Sequence, residues 1–132
     1  MSRLEERLVN FNKAFFIYER AVNAYEKDSE EILMHLALVQ SFEICFELAW
    51  KVIKDYLKEK GIEAYTPKDV IKEAFAANII PDGQLWIDMI NDRNASSHEY
   101  NLEKVSVILE KICSEYYKEL IRFKSQAEMF YV

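Results

Sequence analysis

The sequence predicts an all-α protein, an antiparallel up-and-down bundle of four to five helices. Only two glycines and two prolines occur in 132 residues, which is too few for the many turns of a β-sheet protein. Apolar residues recur at helical spacing over long segments. With 51% hydrophobic residues, residues 1–132 are expected to form a single domain around one core.

The first two predicted helices are long. In the first, steps of three and four residues place one apolar stripe along a helix of about 25 residues. Its members are Leu4, Leu8, Phe11, Phe15, Tyr18, Val22 and Tyr25. Asp28 and Ser29 are expected to cap the second helix, with Glu30 and Glu31 in its first turn. That helix is expected to end near Gly61.

The apolar stripe of the second helix is interrupted by Glu43, and Glu47 follows one turn later. A carboxylate in such a stripe is unfavourable unless it is paired, and arginine is the partner that satisfies both oxygens. One hypothesis is that Glu43, alone or with Glu47, holds Arg93 or His98 in place. The other is that Glu43 bonds a buried tyrosine such as Tyr18, or reaches outward from a loosely packed layer.

Two shorter helices are predicted next. Thr66 as cap and Pro67 at the first helical position indicate a third helix that ends about Asn78. The turn "IIPDG" then leads to a fourth helix that starts near Asp82. Its apolar side is expected to include Trp86 as a core anchor, like Trp50 in the second helix.

The polar segment after the fourth helix predicts a break around Ala95 to His98. Asn94, Ser96 and Ser97 carry side chains that compete with helical backbone bonds. Asn101 is expected to cap one final helix. The apolar residues of that helix are Val105, Ile108, Ile112, Tyr116, Leu120 and Phe123.

Composition excludes several classes of function. A net charge of −6 argues against broad binding to duplex nucleic acid, which relies on many lysine and arginine contacts to phosphate. The charged start does not fit a signal peptide, and no apolar run approaches the roughly 20 residues that span a bilayer. Cys45 and Cys113 lack metal-ligand spacing and are expected to be reduced, buried apolar residues. We therefore expect a cytoplasmic protein without membrane contact, metal or cofactor.

The segment "RNASSHEY" combines Arg93, His98 and Tyr100 in a chain with only two histidines. On an undistorted helix, Arg93 and His98 would lie about 140° apart, so they converge only through the predicted break or by meeting a second copy of the chain. These groups suit RNA cleavage without a metal. The imidazole takes the proton of a 2′-hydroxyl, and the guanidinium holds the phosphate as charge builds.

The spacing of Arg93, His98 and Tyr100 resembles the R-x4-H-x-Y signature of the HEPN superfamily. It is most similar to that of the HepT-like toxins, also known as nucleotidyltransferase substrate-binding proteins. Asn94 fits the same pattern. The similarity extends, in the family's order, through "SFEICFELAWKVIKDYLKEKG" (41–61), "TPKDVIKEAF" (66–75) and "DGQLWIDMINDRNASSHEY" (82–100).

The resemblance implies a helical bundle that dimerises so that both R-x4-H segments line one cleft. It implies that Arg93 and His98 are ribonuclease residues. A partner encoded nearby, a minimal nucleotidyltransferase that acts as antitoxin, is implied to transfer AMP to Tyr100 and silence the toxin.

Each residue also has a simpler interpretation. Arg93 would make a surface salt bridge with Asp92, Asp88 or Glu99, His98 would cap a helix end, and Tyr100 would be a half-buried bundle tyrosine. Ser96 and Ser97 are interpreted as turn formers.

Three functions remain open at this point. The first is the toxin of a toxin–antitoxin pair, a homodimeric, metal-independent endoribonuclease. The second is a non-catalytic substrate-binding or regulatory subunit of a nucleotidyltransferase. The third is a bundle used only for assembly.

Overall fold

The structure is a computed structural model that describes the backbone of residues 1–98 and 102–130, and the side chains of residues 1–95 and 105–130. Within these residues every regular element is an α-helix, so the predicted fold class is confirmed. The helices are α1 (Arg3–Lys27), α2 (Ile32–Glu59), α3 (Pro67–Ala76), α4 (Gly83–His98), α5 (Leu102–Cys113) and α6 (Glu115–Ala127).

Helix α2 lies at the centre of the bundle. It forms a long hairpin with α1 and also contacts α3, α4 and α5, while α6 packs on α1 and α5. The first helix has the length that its apolar stripe predicted, and its stripe residues from Leu4 to Val22 are buried. The site described below is therefore built on the most widely supported helix of the molecule.

Aromatic side chains tie the helices together. The rings of Phe42 and Tyr116 stack with centroids 5.5 Å apart, and Trp86 meets Phe123 edge to face at 5.3 Å. Such pairs each contribute about 0.5–1.5 kcal/mol beyond the area they bury. Trp50 is also buried, so the expected core positions of both tryptophans are confirmed.

The ends of α2 and α3 follow the predicted signals. Gly61, at φ 81°, closes α2 as Ile62 N donates to Leu57 O at 2.9 Å. Asn78, at φ 59°, closes α3 in the same way. In both cases a residue in the left-handed region turns the chain and satisfies carbonyls that the helix leaves open.

The starts of α3 and α4 are also as predicted. The Thr66 hydroxyl accepts from Asp69 N at 3.2 Å, with Pro67 as the first helical residue. The Asp82 carboxylate accepts from Leu85 N at 3.0 Å. These caps fix where the two short helices begin, and with them the position of α4.

The predicted cap of α2 was wrong. Helix α1 continues to Lys27, and the Asp28 N–H donates to Ala24 O at 3.2 Å, so Asp28 ends α1 instead of starting α2. The cap of α2 is Glu31, whose carboxylate accepts from Leu33 N at 3.2 Å. Because α1 and α2 are joined by only a few residues, Asp28 cannot serve both helices.

The predicted break around Ala95 to His98 was also wrong, because α4 is helical through His98. Adding a residue to an existing helix is favourable, and the local preferences of Ser96 and Ser97 do not outweigh this. Asn101 lies outside the described residues, so its capping role stays a prediction.

The predicted last helix is divided into α5 and α6 at Ser114. The Ser114 hydroxyl donates to Glu110 O at 2.6 Å, and its N–H donates to Lys111 O at 3.3 Å. The apolar spacing from Ile112 to Tyr116 continues across this point, so the periodicity carried no sign of the interruption. Cys45 is buried as expected and Cys113 is half-buried, and both are free thiols.

Helix α2 has two apolar faces. By length and composition alone this helix could cross a bilayer, although no continuous apolar run of that length was expected. Only 33% of its most apolar 18-residue stretch is buried in the bundle. Its outer face leaves Ile32, Leu33, Leu36 and Ile44 exposed. One face thus forms the core, and the other is apolar surface.

Candidate functional site

Arg93 reaches from α4 to α2. Its Nη2 lies 3.5 Å from Glu47 Oε2, and each side chain is about a third exposed, 36% for Arg93 and 33% for Glu47. Glu47 is therefore the carboxylate of α2 that pairs with Arg93. An arginine that joins two helices in this way has its position set by the packing of both.

Glu47 is itself held by residues of its own helix. The Trp50 indole donates to Oε2 at 3.0 Å, and Lys51 Nζ lies 3.3 Å from Oε1. Burial alone would raise the pKa of Glu47, but the bonds from Trp50 and Lys51 and the charges of Lys51 and Arg93 lower it below its usual range. Glu47 is thus an ionised, anchored carboxylate at neutral pH.

Glu43 is half-buried one turn before Glu47. Tyr18, the tyrosine proposed as its partner in the alternative interpretation, donates its hydroxyl to the backbone carbonyl of Ile112. Burial raises the pKa of Tyr18 well above its usual value, so this hydroxyl keeps its proton. The single donor of Tyr18 is thus used across the bundle to α5 and not by Glu43.

A surface pocket of about 380 Å³ opens beside Arg93, between α2, the start of α3, and α4. Its floor is apolar and its rim is polar. The lining residues are Phe46, Glu47, Trp50, Thr66, Pro67, Lys68, Ile90, Arg93 and Asn94. Three of the predicted site residues, Glu47, Arg93 and Asn94, therefore meet at one cavity.

Lys68 also lines this pocket and was not predicted as a site residue. The neighbouring Thr66 and Pro67 indicated only a helix start, which is their local role. Lys68 reaches the site because α3 packs against both α2 and α4, a tertiary contact for which the sequence carries no local signal.

Two aspartates near Arg93, the partners named in its simpler interpretation, are engaged elsewhere. Asp92 accepts the Tyr116 hydroxyl and lies 3.9 Å from Lys111 Nζ, and Asp88 accepts from Gln84 at 2.9 Å. Burial first, and then the bond to Asp92, raises the pKa of Tyr116 far above its usual value. Asp92 thus fastens α4 to α5 and α6 immediately before Arg93.

His98 is the last residue of α4, and its side chain lies outside the described residues, as do the side chains of Ser96 and Ser97. Tyr100 and Glu99 lie wholly outside them. The backbone still constrains the site, because a helix that runs through His98 directs residues 93 and 98 about 140° apart around its axis. Among the residues with described side chains, no group of three His, Cys, Asp or Glu is placed to hold a metal ion.

A family model described as "nucleotidyltransferase substrate binding protein like" matches residues 6–129. The chain belongs to this family. The probable ribonuclease HepT of Haemophilus influenzae is 33% identical over 79 residues, which are 56% of this chain and 54% of that protein. The aligned region thus spans about half the length of this relative. The membership of the nucleotidyltransferase substrate-binding family that the motif indicated is confirmed.

Two solved structures share the fold over nearly the whole chain. A Haemophilus influenzae protein, described as the substrate binding domain of a nucleotidyltransferase, is 25% identical with a TM-score of 0.80, covering 92% of this chain and 98% of that one. A tri-AMPylated Shewanella oneidensis HEPN toxin in complex with its MNT antitoxin has a TM-score of 0.74 at 11% identity, covering 98% and 99%. The second likeness shows the fold alone.

Proposed function

We propose that this HepT-like protein is the toxin of a toxin–antitoxin pair, a homodimeric, metal-independent endoribonuclease of the cytoplasm. The observation that supports this most is the placement of Arg93 on the rim of a pocket, anchored by Glu47 across two helices. A guanidinium held in advance of the reaction stabilises charge that builds on a phosphate without having to reorganise.

In this proposal Arg93 and His98 are the catalytic residues. The imidazole of His98 takes the proton of a ribose 2′-hydroxyl, and the 2′-oxygen attacks the adjacent phosphorus. The bond to the 5′-oxygen breaks, and that oxygen takes up a proton as it leaves. Arg93 binds the phosphate oxygens while their charge increases, and Asn94 lines the same pocket as a supporting polar residue.

A second copy of the chain completes the proposed site. Because α4 is helical through His98, the local break that would have joined Arg93 to His98 within one chain is absent. The remaining arrangement places the two R-x4-H segments of a dimer along one cleft, as in the resemblance described above. Glu43, half-buried one turn from Glu47, would support the motif at that interface.

The exposed apolar face of α2 is the surface that we assign to the dimer. Leu33, Leu36 and Ile44 lie along one side of α2, and this side continues to Glu47. Val107 of the neighbouring α5 is exposed as well. Burying this apolar face against its symmetry mate would remove these exposed apolar side chains from water.

We expect Ile44→Glu to convert the dimer to a monomer, measured by light scattering after size-exclusion chromatography. The matched control is Ile17→Glu, an exposed isoleucine on α1, which should leave the dimer intact. If Ile17→Glu dissociates the protein and Ile44→Glu does not, the dimer uses a different face.

The partner in this proposal is a minimal nucleotidyltransferase antitoxin that transfers AMP to Tyr100. The motif resemblance supports this, as does the AMPylated Shewanella toxin with the same fold. Coexpression with the neighbouring transferase should add the mass of AMP to a peptide containing Tyr100, and Tyr100→Phe should not be modified there. Wild-type protein that stays unmodified in coexpression would contradict this regulation.

The experiment that tests the enzyme itself compares RNA cleavage by wild type, Arg93→Ala and His98→Ala. Loss of a general base or of one charge-stabilising donor lowers such rates by about 100-fold or more. Expression of the wild-type chain alone should arrest growth, and His98→Ala should relieve the arrest without lowering the melting temperature. Equal behaviour of wild type and His98→Ala in both assays would refute the nuclease.

The second candidate is a non-catalytic subunit that binds substrate for, or regulates, a nucleotidyltransferase. The family description and the Haemophilus structure at 25% identity favour it. With such a subunit we expect RNA to stay intact with the wild type, Arg93→Ala and His98→Ala alike. We also expect the activity of the transferase to change when this chain is added.

A further inference from the structure

The pocket beside Arg93 combines an apolar floor with a cationic rim. Phe46, Trp50 and Ile90 are buried side chains that form the floor. Lys68 approaches from α3 and Arg93 from α4. A volume of about 380 Å³ lies within the range of pockets that hold small organic ligands, roughly 300–1,000 Å³.

The charges around this pocket favour an anion. Glu47 is the only carboxylate among the described lining residues, and it is bonded to Trp50 and paired with both Lys51 and Arg93. Its one negative charge stands against the two positive charges of Arg93 and Lys68 in the lining. Lys68 is exposed, and no carboxylate in the part of the chain with described side chains lies within 4 Å of its ammonium group. The rim thus offers positive charge in a chain whose net charge is −6.

An occupant of this pocket needs a phosphate and an adjoining flat, weakly polar body. A nucleotide has both, since its base packs on apolar and aromatic side chains while its phosphate meets lysine or arginine. The pocket also includes Arg93, the residue assigned above to the phosphate that reacts. A strand bound at Arg93 would therefore pass its neighbouring nucleotide over Lys68.

We propose that this pocket is an RNA subsite for one nucleotide next to the cleaved bond, with its base on the apolar floor beside Trp50 and Ile90 and its phosphate on Lys68. This inference rests on the proposed ribonuclease function and deepens it. Lys68 is then a substrate-binding residue that selects single-stranded RNA, because a base paired in a duplex cannot enter the pocket.

The test measures binding of a fluorescent single-stranded RNA of about 12 nucleotides, long enough to cover one binding groove. It uses the full chain carrying His98→Ala, so that the RNA stays intact. Lys68→Gln is compared with Lys72→Gln, which removes the same charge one turn along α3 from a residue that lines a different pocket.

We expect Lys68→Gln to weaken binding about fivefold and to reduce the slope of log K against log salt by about 0.7, the value for one lost phosphate contact on a single strand. Lys72→Gln should change affinity less than about twofold. Equal effects of the two variants, or no measurable RNA binding by the His98→Ala protein, would overturn the subsite.

Two further measurements distinguish a failure of the subsite from a failure of the proposed ribonuclease. Adenosine 5′-monophosphate that binds as tightly as the RNA, with the same dependence on Lys68, would assign the pocket to a free nucleotide and overturn the strand proposal. Cleavage of the same RNA by the wild-type protein tests the ribonuclease on its own. Cleavage that persists at wild-type rate and KM in Lys68→Gln would refute the subsite and leave the nuclease standing.

Discussion

Two arginine–glutamate pairs in this protein share their chemistry and differ in their surroundings. Arg93 pairs with Glu47 across two helices, and Arg122 pairs with Glu119 within α6. The Glu119 side chain is 7% exposed, whereas that of Glu47 is 33% exposed. The two arginines are almost equally exposed, so the difference between the pairs lies in the carboxylate and in the geometry.

The geometry separates them further. Arg122 donates to both oxygens of Glu119, at 2.7 and 2.8 Å, and its third nitrogen donates to Gln126 at 2.7 Å. Arg93 meets Glu47 at 3.5 Å, on the edge of the pocket. A two-point contact to a buried carboxylate fixes structure, whereas a longer contact at a pocket positions a charge where a ligand can reach it.

Each carboxylate also accepts an indole N–H, Glu47 from Trp50 at 3.0 Å and Glu119 from Trp86 at 2.8 Å. The same three residue types thus serve stability in one place and, in our proposal, catalysis in the other. Residue types alone do not distinguish such sites. The two sites are distinguished by how deeply the glutamate is buried and by whether a cavity lies beside the arginine.

The largest effect on stability is expected at the buried pair. Glu119→Ala leaves the Trp86 N–H without its acceptor and Arg122 without its carboxylate, which should lower the free energy of unfolding by about 2–3 kcal/mol. Urea denaturation measures this. Glu110→Ala, at an exposed glutamate of α5, should change stability by less than about 0.5 kcal/mol. A loss below about 1 kcal/mol at Glu119 would mean that this pair is not structural.

The next effect is expected at the pocket. Glu47→Gln removes the charge that positions Arg93 and keeps the shape, so RNA cleavage should fall about tenfold while the free energy of unfolding changes by less than about 1 kcal/mol. The exposed Glu6→Gln serves as control and should leave the rate unchanged. Unchanged cleavage in Glu47→Gln would remove Glu47 from the site.

The smallest effect is a pH dependence of stability. The pKa of Glu47 is lowered in the folded state. The ionised side chain therefore adds to the free energy of unfolding fully above the unfolded-state pKa of about 4.3, and this stabilisation is lost as the pH falls through the lower folded-state pKa. The stability difference between wild type and Glu47→Gln should therefore be constant from about pH 6 to 8 and shrink below about pH 4.3. A difference that grows on acidification would contradict the direction of this shift.

Much of the fold follows from local rules that the sequence displays. The stripe of α1, the turn at Gly61 and the start at Thr66 each depend on residues close together in the chain, and all three were predicted. The break around Ala95 to His98 was predicted from side-chain preferences, which the continuing helix outweighs. The division of the last helix at Ser114 was not predicted because the apolar spacing continues across this residue.

The site residues also differ in whether local sequence patterns or tertiary packing brings them to the site. Periodicity identified Glu43 as the exception in the apolar stripe of α2, with Glu47 one turn later, and that anomaly led to the hypothesis that a carboxylate of this helix holds Arg93 or His98. The structure pairs Arg93 with Glu47. Lys68 could not be found in this way, because it joins the pocket only through the packing of α3. Trp50 was interpreted as a core residue, which it is, and its spacing of three residues from Glu47 was the overlooked sign that it also donates a hydrogen bond.

The measurement that tests the account most directly exchanges each arginine for lysine, which keeps the charge and removes the planar fork. RNA cleavage and urea unfolding are measured for Arg93→Lys and Arg122→Lys in parallel. We expect a crossover, in which Arg93→Lys loses at least about tenfold in cleavage at nearly unchanged stability, and Arg122→Lys loses about 1 kcal/mol of stability with cleavage retained. The same ranking of the two variants in both assays would contradict it.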